Sequence, residues 1–144
     1  MNNSNGKRVF VIAGGGTGIL VYRLLSRYRF NIITGVIHEN DIDYHVACSI
    51  GATVISEKSF KKISNSRLRQ SFALLEKAEH VIDSGFPIGS SNRRNLKLVL
   101  KALEQGKRVY TLRDRKPACG LYGESAENLI YCQGVQSILE RLKE

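Results

Sequence analysis

A chain of 144 residues, 42% hydrophobic and 24% charged, has the length and composition of one globular domain with a real core, which argues against disorder. Its 22 basic and 13 acidic residues give a formal charge of +9, which favours anionic partners: nucleotides, nucleic acid, acidic protein surfaces or lipid headgroups. No apolar run approaches the ~20 residues of a membrane helix, the first residues lack a signal peptide's apolar stretch, and Cys48, Cys119 and Cys132 form no C-x-x-C pair, which argues against a disulfide framework or zinc site. The chain is therefore expected in the cytoplasm or against the inner face of a membrane.

Residues 1–7 are polar and read as a flexible leader or linker, with 8–144 as a single Rossmann-like domain. Val9 to Ala13 is continuously apolar and β-branched, as a buried parallel strand would be. Five turn residues follow, and then a helix from about Ile19 to Tyr28 with Leu20, Leu24 and Tyr28 on one face. Ile32 to Ile37 is a second strand. His38 to Asp43 reads as an acidic loop, followed by a short helix over Tyr44 to Ile50 that Gly51 ends. Thr53 to Ile55 is a third strand, whose connection carries Lys61 and Lys62. Ser64 or Ser66 caps the next helix, which runs to about Ala78 with Leu68, Phe72 and Leu75 inward. A fourth strand, Val81 to Asp83, stops at Ser84-Gly85-Phe86-Pro87. Ser91 or Asn92 caps a helix whose Leu96, Val99, Leu100 and Leu103 follow helical spacing, and Gly106 ends it. Arg108 to Leu112 is a fifth strand, Arg113 to Asn128 reads as a loop, Leu129 to Cys132 as a sixth strand, and Val135, Ile138, Leu139 and Leu142 mark a last helix. Alternation of this kind predicts an α/β fold, doubly wound, with a mostly parallel sheet of five to six strands and helices on both faces.

Open parallel sheets bind ligands beyond the carboxyl ends of their strands, where strand order reverses. The loops after the first and fourth strands should flank that point, and both have unusual compositions. Gly14-Gly15-Gly16-Thr17-Gly18 suits a backbone that turns tightly against a phosphate, with Thr17 as a hydroxyl donor. It departs from G-x-G-x-x-G at Ile19, which counts against a dinucleotide and leaves a mononucleotide or other anion. The turn can equally be architectural. There is no P-loop sequence in the chain. Glu39 and Asp41 follow the second strand, where an acid can accept hydrogen bonds from a ribose; with Asp43 they could alternatively cap a helix or supply oxygens to a divalent metal. In the second loop, Ser84, Gly85, Phe86, Pro87, Asn92 and Arg93 are candidate contacts. Arg93 and Arg94 occupy a helix N-terminus, where the dipole disfavours cations, so they are expected to answer to an anionic ligand or protein partner, or else to be solvated or paired with Glu39 or Asp43 across the crevice. Phe86 could pack on a flat ring. His38, His45 and His80 lack metal spacing, there is no G-x-S-x-G elbow, and no cysteine has an adjacent base, so no catalytic constellation emerges. The cations are scattered apart from Lys61-Lys62 and Arg113 to Lys116, without interleaved aromatics, so nucleic acid is the weaker reading of the charge.

The order GGGTG, HENDIDYHVA, GATVISE, HVIDSGFPIGSSNRRNL and QGKRVYTL, over Lys7 to Leu112, resembles the accessory C-terminal domain of archaeal iron- or cobalamin-type ABC transporter ATP-binding subunits. That resemblance implies a Rossmann-like regulatory domain sensing a nucleotide or phosphate-containing metabolite, with an ABC ATPase domain or subunit as partner. The general shape is also similar to the DNA-processing-protein and lysine-decarboxylase-like families, although the latter's PGG-x-GT signature is absent. The alternative function is a small enzyme acting on a nucleotide or phosphorylated metabolite, with Glu39, Asp41 or Asp83 as general base. A homodimer is a further expectation that the sequence leaves open.

Overall fold

The computed structural model describes residues 6–89, 92–123 and 127–144. The strands are β1 (Arg8–Ile12), β2 (Asn31–His38), β3 (Thr53–Glu57), β4 (His80–Asp83), β5 (Arg108–Thr111) and β6 (Leu129–Tyr131). They form one sheet in the order β3-β2-β1-β4-β5-β6, and every neighbouring pair is parallel. The helices between and after them are α1 (Ile19–Leu25), α2 (Ile42–Ser49), α3 (Asn65–Lys77), α4 (Arg93–Glu104), α5 (Arg115–Tyr122) and α6 (Val135–Lys143). This is the three-layer, doubly wound Rossmann-like architecture that the alternation predicts.

Both faces of the sheet are covered, which is why its central strands are apolar without alternation. Phe10 and Ile12 of β1 face a core built with Leu75, Leu98, Val99, Ala102 and Tyr122 of α3, α4 and α5. Val9 and Val11 face the other core, with Val21, Tyr22 and Leu25 of α1, Ala47 of α2, and Ile138 and Leu142 of α6. Strand order reverses at β1/β4, and the loops leaving those two strands lie side by side there. Among the described residues no helix is long and apolar enough to cross a membrane.

Four expectations need correction. Helix α1 stops at Leu25, and it buries Val21, Tyr22 and Leu25, whereas Leu20 is 66% and Tyr28 39% exposed. The stripe Leu20, Leu24, Tyr28 therefore lies toward the outside, with Leu24 half-buried, while Val21, Tyr22 and Leu25 pack into the core with Val9 and Val11 of β1. Helix α4 is likewise rotated: Leu98, Val99 and Ala102 are buried, and Leu100 is exposed. Helix α2 begins at Ile42, so Asp43 is helical and Asp41 is the N-cap. The segment expected as a loop after Arg113 contains α5, which buries Ala118 and Tyr122 one turn apart. Pro117 and Gly120 hide that helix in the sequence, but Pro117 sits in its first turn, where a missing N–H breaks no helical bond. Ser64 is the cap of α3, accepting from the Arg67 N–H at 3.2 Å. Asn92 is the N-cap residue of α4 without a side-chain cap bond, and Ser91 lies outside the described residues.

Candidate functional site

The glycine turn is built for close approach. Gly15 and Gly16 have φ of +64° and +92°, which favours glycine over any side chain. Gly18 is required for packing instead: a Cβ there would lie 2.6 Å from the Ala13 Cβ and 2.9 Å from Tyr22 Cε2. The role of a third glycine, close helix–strand contact, is therefore filled by Gly18, one position before the Ile19 that breaks the dinucleotide pattern. Thr17 is turned inward. Its hydroxyl reaches the Gly14 carbonyl at 3.0 Å and the Ser84 hydroxyl at 2.8 Å, while Ser84 donates to the Ile12 carbonyl. Thr17 and Ser84 thus clamp the two loops together beneath the crevice.

The amides that would greet a phosphate are already engaged by carboxylates of the same chain. Gly16 N–H donates to Asp43 Oδ2 at 2.7 Å, and Gly18 N–H to Asp43 Oδ1 at 3.0 Å. Gly15 N–H donates to both oxygens of Asp41, at 3.2 and 3.3 Å. Asp41 also accepts from the Asp43 N–H, so one carboxylate caps α2 and ties it to the glycine turn. Asp43 is fully buried. Burial pushes its carboxyl above the ordinary range and outweighs the Gly16 and Gly18 hydrogen bonds, with Asp41 adding to the upward push. Tyr22, buried beside both acids, is also pushed up, first by burial. Asp41 and Asp43 turn to backbone amides and do not converge with Glu39; among the described residues no trio of potential ligands is placed to hold a metal.

Above this internal network lies an open cleft of about 460 Å³ lined by Gly15, His38, Asn40, Asp41, Ile42, Asn92 and Arg94. A smaller pocket of about 260 Å³, lined by Phe86, Ile88, Gly89, Asn92, Arg93 and Leu96, adjoins it through Asn92. The first offers a carboxylate and a guanidinium, the second mostly apolar walls. Arg94 is buried, its Nε donating to the Val36 carbonyl at 2.9 Å; burial lowers its pKa and the Asp41 charge raises it. Asn95, also buried, bonds the Ala13 carbonyl at 3.2 Å and so fixes the start of α4 against the end of β1.

Of the sequence-predicted contacts, Gly14, Gly15, Asp41, Pro87, Asn92 and Arg93 come together around this crevice. Pro87 lies over Gly15, and Gly14 faces Asn92, Asn95 and Asp41. Gly16 and Gly18 lie beneath it with Thr17 and Ser84, and Gly85 supplies a φ of +82° to the second loop. Glu39 is exposed, and its amide pairs with the Glu57 carbonyl; the carboxylate in the cleft is Asp41. Phe86 is fully buried in the core, with Arg113 stacked over its ring at 4.5 Å, so it forms the floor of the smaller pocket. Asp83 is fully buried too. It accepts from Thr111 Oγ1 and the Tyr122 hydroxyl at 2.7 Å each, from the Gly85 N–H, and pairs with Arg113 at 3.3 Å. Its oxygens are committed within the fold and face no crevice. His38 drew attention in the sequence only as a histidine without metal spacing, and Asn40 and Ile42 drew none; they line the cleft from the end of β2, the turn after it and the start of α2.

A model of the MJ0874 family matches residues 32–140 of this chain. The uncharacterized protein MJ0874 of Methanocaldococcus jannaschii is 34% identical over 83 residues, which are 58% of this chain and 89% of that protein. Among solved structures, DNA processing protein A from Helicobacter pylori, described for its single-stranded DNA binding mode, aligns with a TM-score of 0.57 at 16% identity, over 95% of this chain and 80% of its own. Apo saccharopine dehydrogenase (L-Glu forming) from Saccharomyces cerevisiae aligns with a TM-score of 0.51 at 20% identity, over 78% of this chain. This chain spans only 23% of that enzyme. At such identities the likeness is one of fold. None of these proteins ties the chain to an ABC transporter.

Proposed function

The chain belongs to the MJ0874 family, and from that premise we propose that it is a non-catalytic binding domain for a small, ring-bearing anion of the nucleotide type. The observation that carries this reading is the pairing of the two pockets at Asn92, one polar and charged, one apolar. A flat ring fits the apolar walls of Ile88 and Leu96. Hydroxyl groups suit the Asp41 carboxylate, and an anionic group suits Arg93 and Arg94. The glycine turn supports the crevice from below and gives its amides to Asp43 and Asp41. Asp83, one of the general bases weighed for an enzyme, is withdrawn from that role because it is fully buried with its oxygens engaged by hydrogen bonds, and this reading gives the cleft carboxylate, Asp41, to the ligand's hydroxyl groups. The resemblance to ABC ATP-binding subunits makes such an ATPase the first macromolecular partner to try in a regulatory assay.

The test is a thermal-unfolding and calorimetric screen of ATP, ADP, AMP, NAD, cyclic nucleotides and inorganic phosphate. A ligand present at 100 times its Kd adds about 2.7 kcal/mol of stability, which is readily seen as a shift in Tm. A nucleotide is expected to shift Tm and to be recovered unchanged, while inorganic phosphate alone does not. Ile88→Asp, at an exposed position, removes an apolar wall and adds a repelling charge, and should weaken binding by about ten-fold or more. Turnover of the bound nucleotide, or binding indifferent to Ile88→Asp, contradicts the reading.

A further inference from the structure

The connection between β3 and α3 holds features that the crevice does not use. Phe60 is 93% exposed, and among the described residues it is the one non-glycine with a positive φ, +64°. The Lys61 N–H donates to the Lys58 carbonyl at 3.2 Å, closing a turn with Phe60 in its third position, where positive φ calls for glycine. The His38 ring bonds the Lys61 carbonyl and ties this turn to the end of β2. A bulky side chain is disfavoured at such a φ, and an aromatic ring in water forgoes its burial. Phe60 is thus unfavourable on two counts within the isolated domain, and the fold holds it outward regardless.

Its surroundings are uniformly basic. Lys58, Lys61, Lys62, Arg67 and Arg69 are all exposed, and no acidic residue occurs between Glu57 and Glu76. Among the described residues none of these five cations forms an ion pair with a carboxylate. We infer that this loop and the first turn of α3 bind single-stranded nucleic acid, the Phe60 ring stacking on a base and the five cations meeting flanking phosphates. Stacking on an exposed aromatic within a cationic track is how single strands are held without sequence preference. A flat anionic membrane fits less well, since Arg67 and Arg69 lie two positions apart on a helix and point roughly 200° apart. A flexible strand can bend around the turn and reach cations on either side of the helix. A duplex keeps its bases stacked on one another and offers Phe60 no free base. The inference is independent of the small-ligand reading, because Phe60 and the five cations lie outside both pockets.

The test is fluorescence anisotropy of the full chain with labelled oligo-dT and oligo-U of about 20 nucleotides, starting near roughly 50 mM salt. Binding is expected with a log–log salt slope of about −2 to −3.5, for three to five phosphate contacts, and the double variant Lys61→Gln/Lys62→Gln should make it shallower by about 1.4. Phe60→Ala should weaken binding by about five- to hundred-fold, and Phe60→Trp should retain it. Phe60→Gly suits the positive φ, so it should melt no lower than the parent while binding as weakly as Phe60→Ala, which separates lost contact from lost fold. The inference is overturned if neither strand binds, if Phe60→Ala binds like the parent, or if a duplex of the same length binds equally well. It is also overturned if phosphatidylserine vesicles, and not the strands, are bound in a Phe60-dependent way.

Discussion

Asp43→Ala tests whether the glycine turn is held from within. In the folded chain the two oxygens of this fully buried carboxylate accept from Gly16 N–H at 2.7 Å and Gly18 N–H at 3.0 Å. Truncation leaves both donors without a partner, and each unmet buried donor costs about 1–3 kcal/mol. Against that, the variant no longer has to bury a carboxylate next to Asp41, a burden visible in the upward push on its pKa. The net loss should be about 2–4 kcal/mol, or roughly 6–15 °C in Tm at this chain length. Asp43→Asn keeps one oxygen and turns an NH₂ toward the second amide, so it should fall between. The pH dependence has a definite sign. The folded chain holds the Asp43 proton more tightly than the unfolded chain does. This group's contribution is therefore full below the ordinary carboxylate pKa and lost as pH rises through the raised value. The stability gap between parent and Asp43→Ala should narrow over that interval. Urea unfolding followed by circular dichroism, at several pH values, measures it. A gap under about 1 kcal/mol at neutral pH, within the range of an ordinary surface change, would refute the reasoning and return the glycine amides to an exogenous phosphate.

Two further outcomes follow from the packing and from a half-buried histidine. Gly18→Ala places a methyl 2.6 Å from the Ala13 Cβ and 2.9 Å from the Tyr22 ring; it should lower stability by about 1–3 kcal/mol, read from the urea midpoint. His80 has a buried Nδ1 with no hydrogen-bond partner among the described residues, and its pKa is lowered by burial first and then by Lys7 and Arg108, with Glu79 opposing. Its contribution is present above the ordinary histidine pKa and lost as pH falls through the lowered one. His80→Gln should therefore lose less stability than the parent when unfolding is compared at neutral pH and near pH 5, below the ordinary histidine value of about 6.5.

The layer order and the location of the crevice were legible because they depend on long-period features. Val9 to Ala13 is an apolar run and Val81-Ile82 an apolar pair before Asp83, each leading into a glycine- and serine- or threonine-containing loop, and a parallel sheet that reverses there must bring those loops together. The faces of single helices were less legible. In α1 the stripe Leu20, Leu24, Tyr28 has good spacing, yet adjacent Val21 and Tyr22 are the residues that reach the core. Helical periodicity cannot choose between two apolar arcs when the helix has only seven residues. Helix α5 was hidden by Pro117 and Gly120, whose propensities are overridden by the burial of Ala118 and Tyr122.

Within the site, the acids were found but their direction was not. Sequence spacing places Glu39, Asp41 and Asp43 near a ribose, but only the start of α2 at Ile42 shows that Asp43 points into the protein and Asp41 lies at its boundary. The two arginines at the start of α4 signalled an unusual place, and the structure divides them: Arg93 is exposed and Arg94 is buried against the Val36 carbonyl. The aromatic–basic loop was overlooked although its signal is local: Lys58-Ser59-Phe60-Lys61-Lys62 interleaves a ring with three cations. Nothing in those five letters says that the ring is held in solvent by a positive φ.

The central claim is that a nucleotide-type ligand occupies the crevice around Asn92 and leaves the glycine-turn amides to Asp43. Titrating an isotope-labelled chain with the best ligand of the screen, and following each backbone amide by NMR, tests it most directly. The account predicts shifts at Gly15, Asn40, Gly89 and Asn92, little change at the Gly16 and Gly18 amides, and none at Ile50 and Gly51 on the opposite end of the sheet. Large shifts at Gly16 and Gly18, with Asn92 unmoved, would place the ligand in the glycine turn and contradict the account.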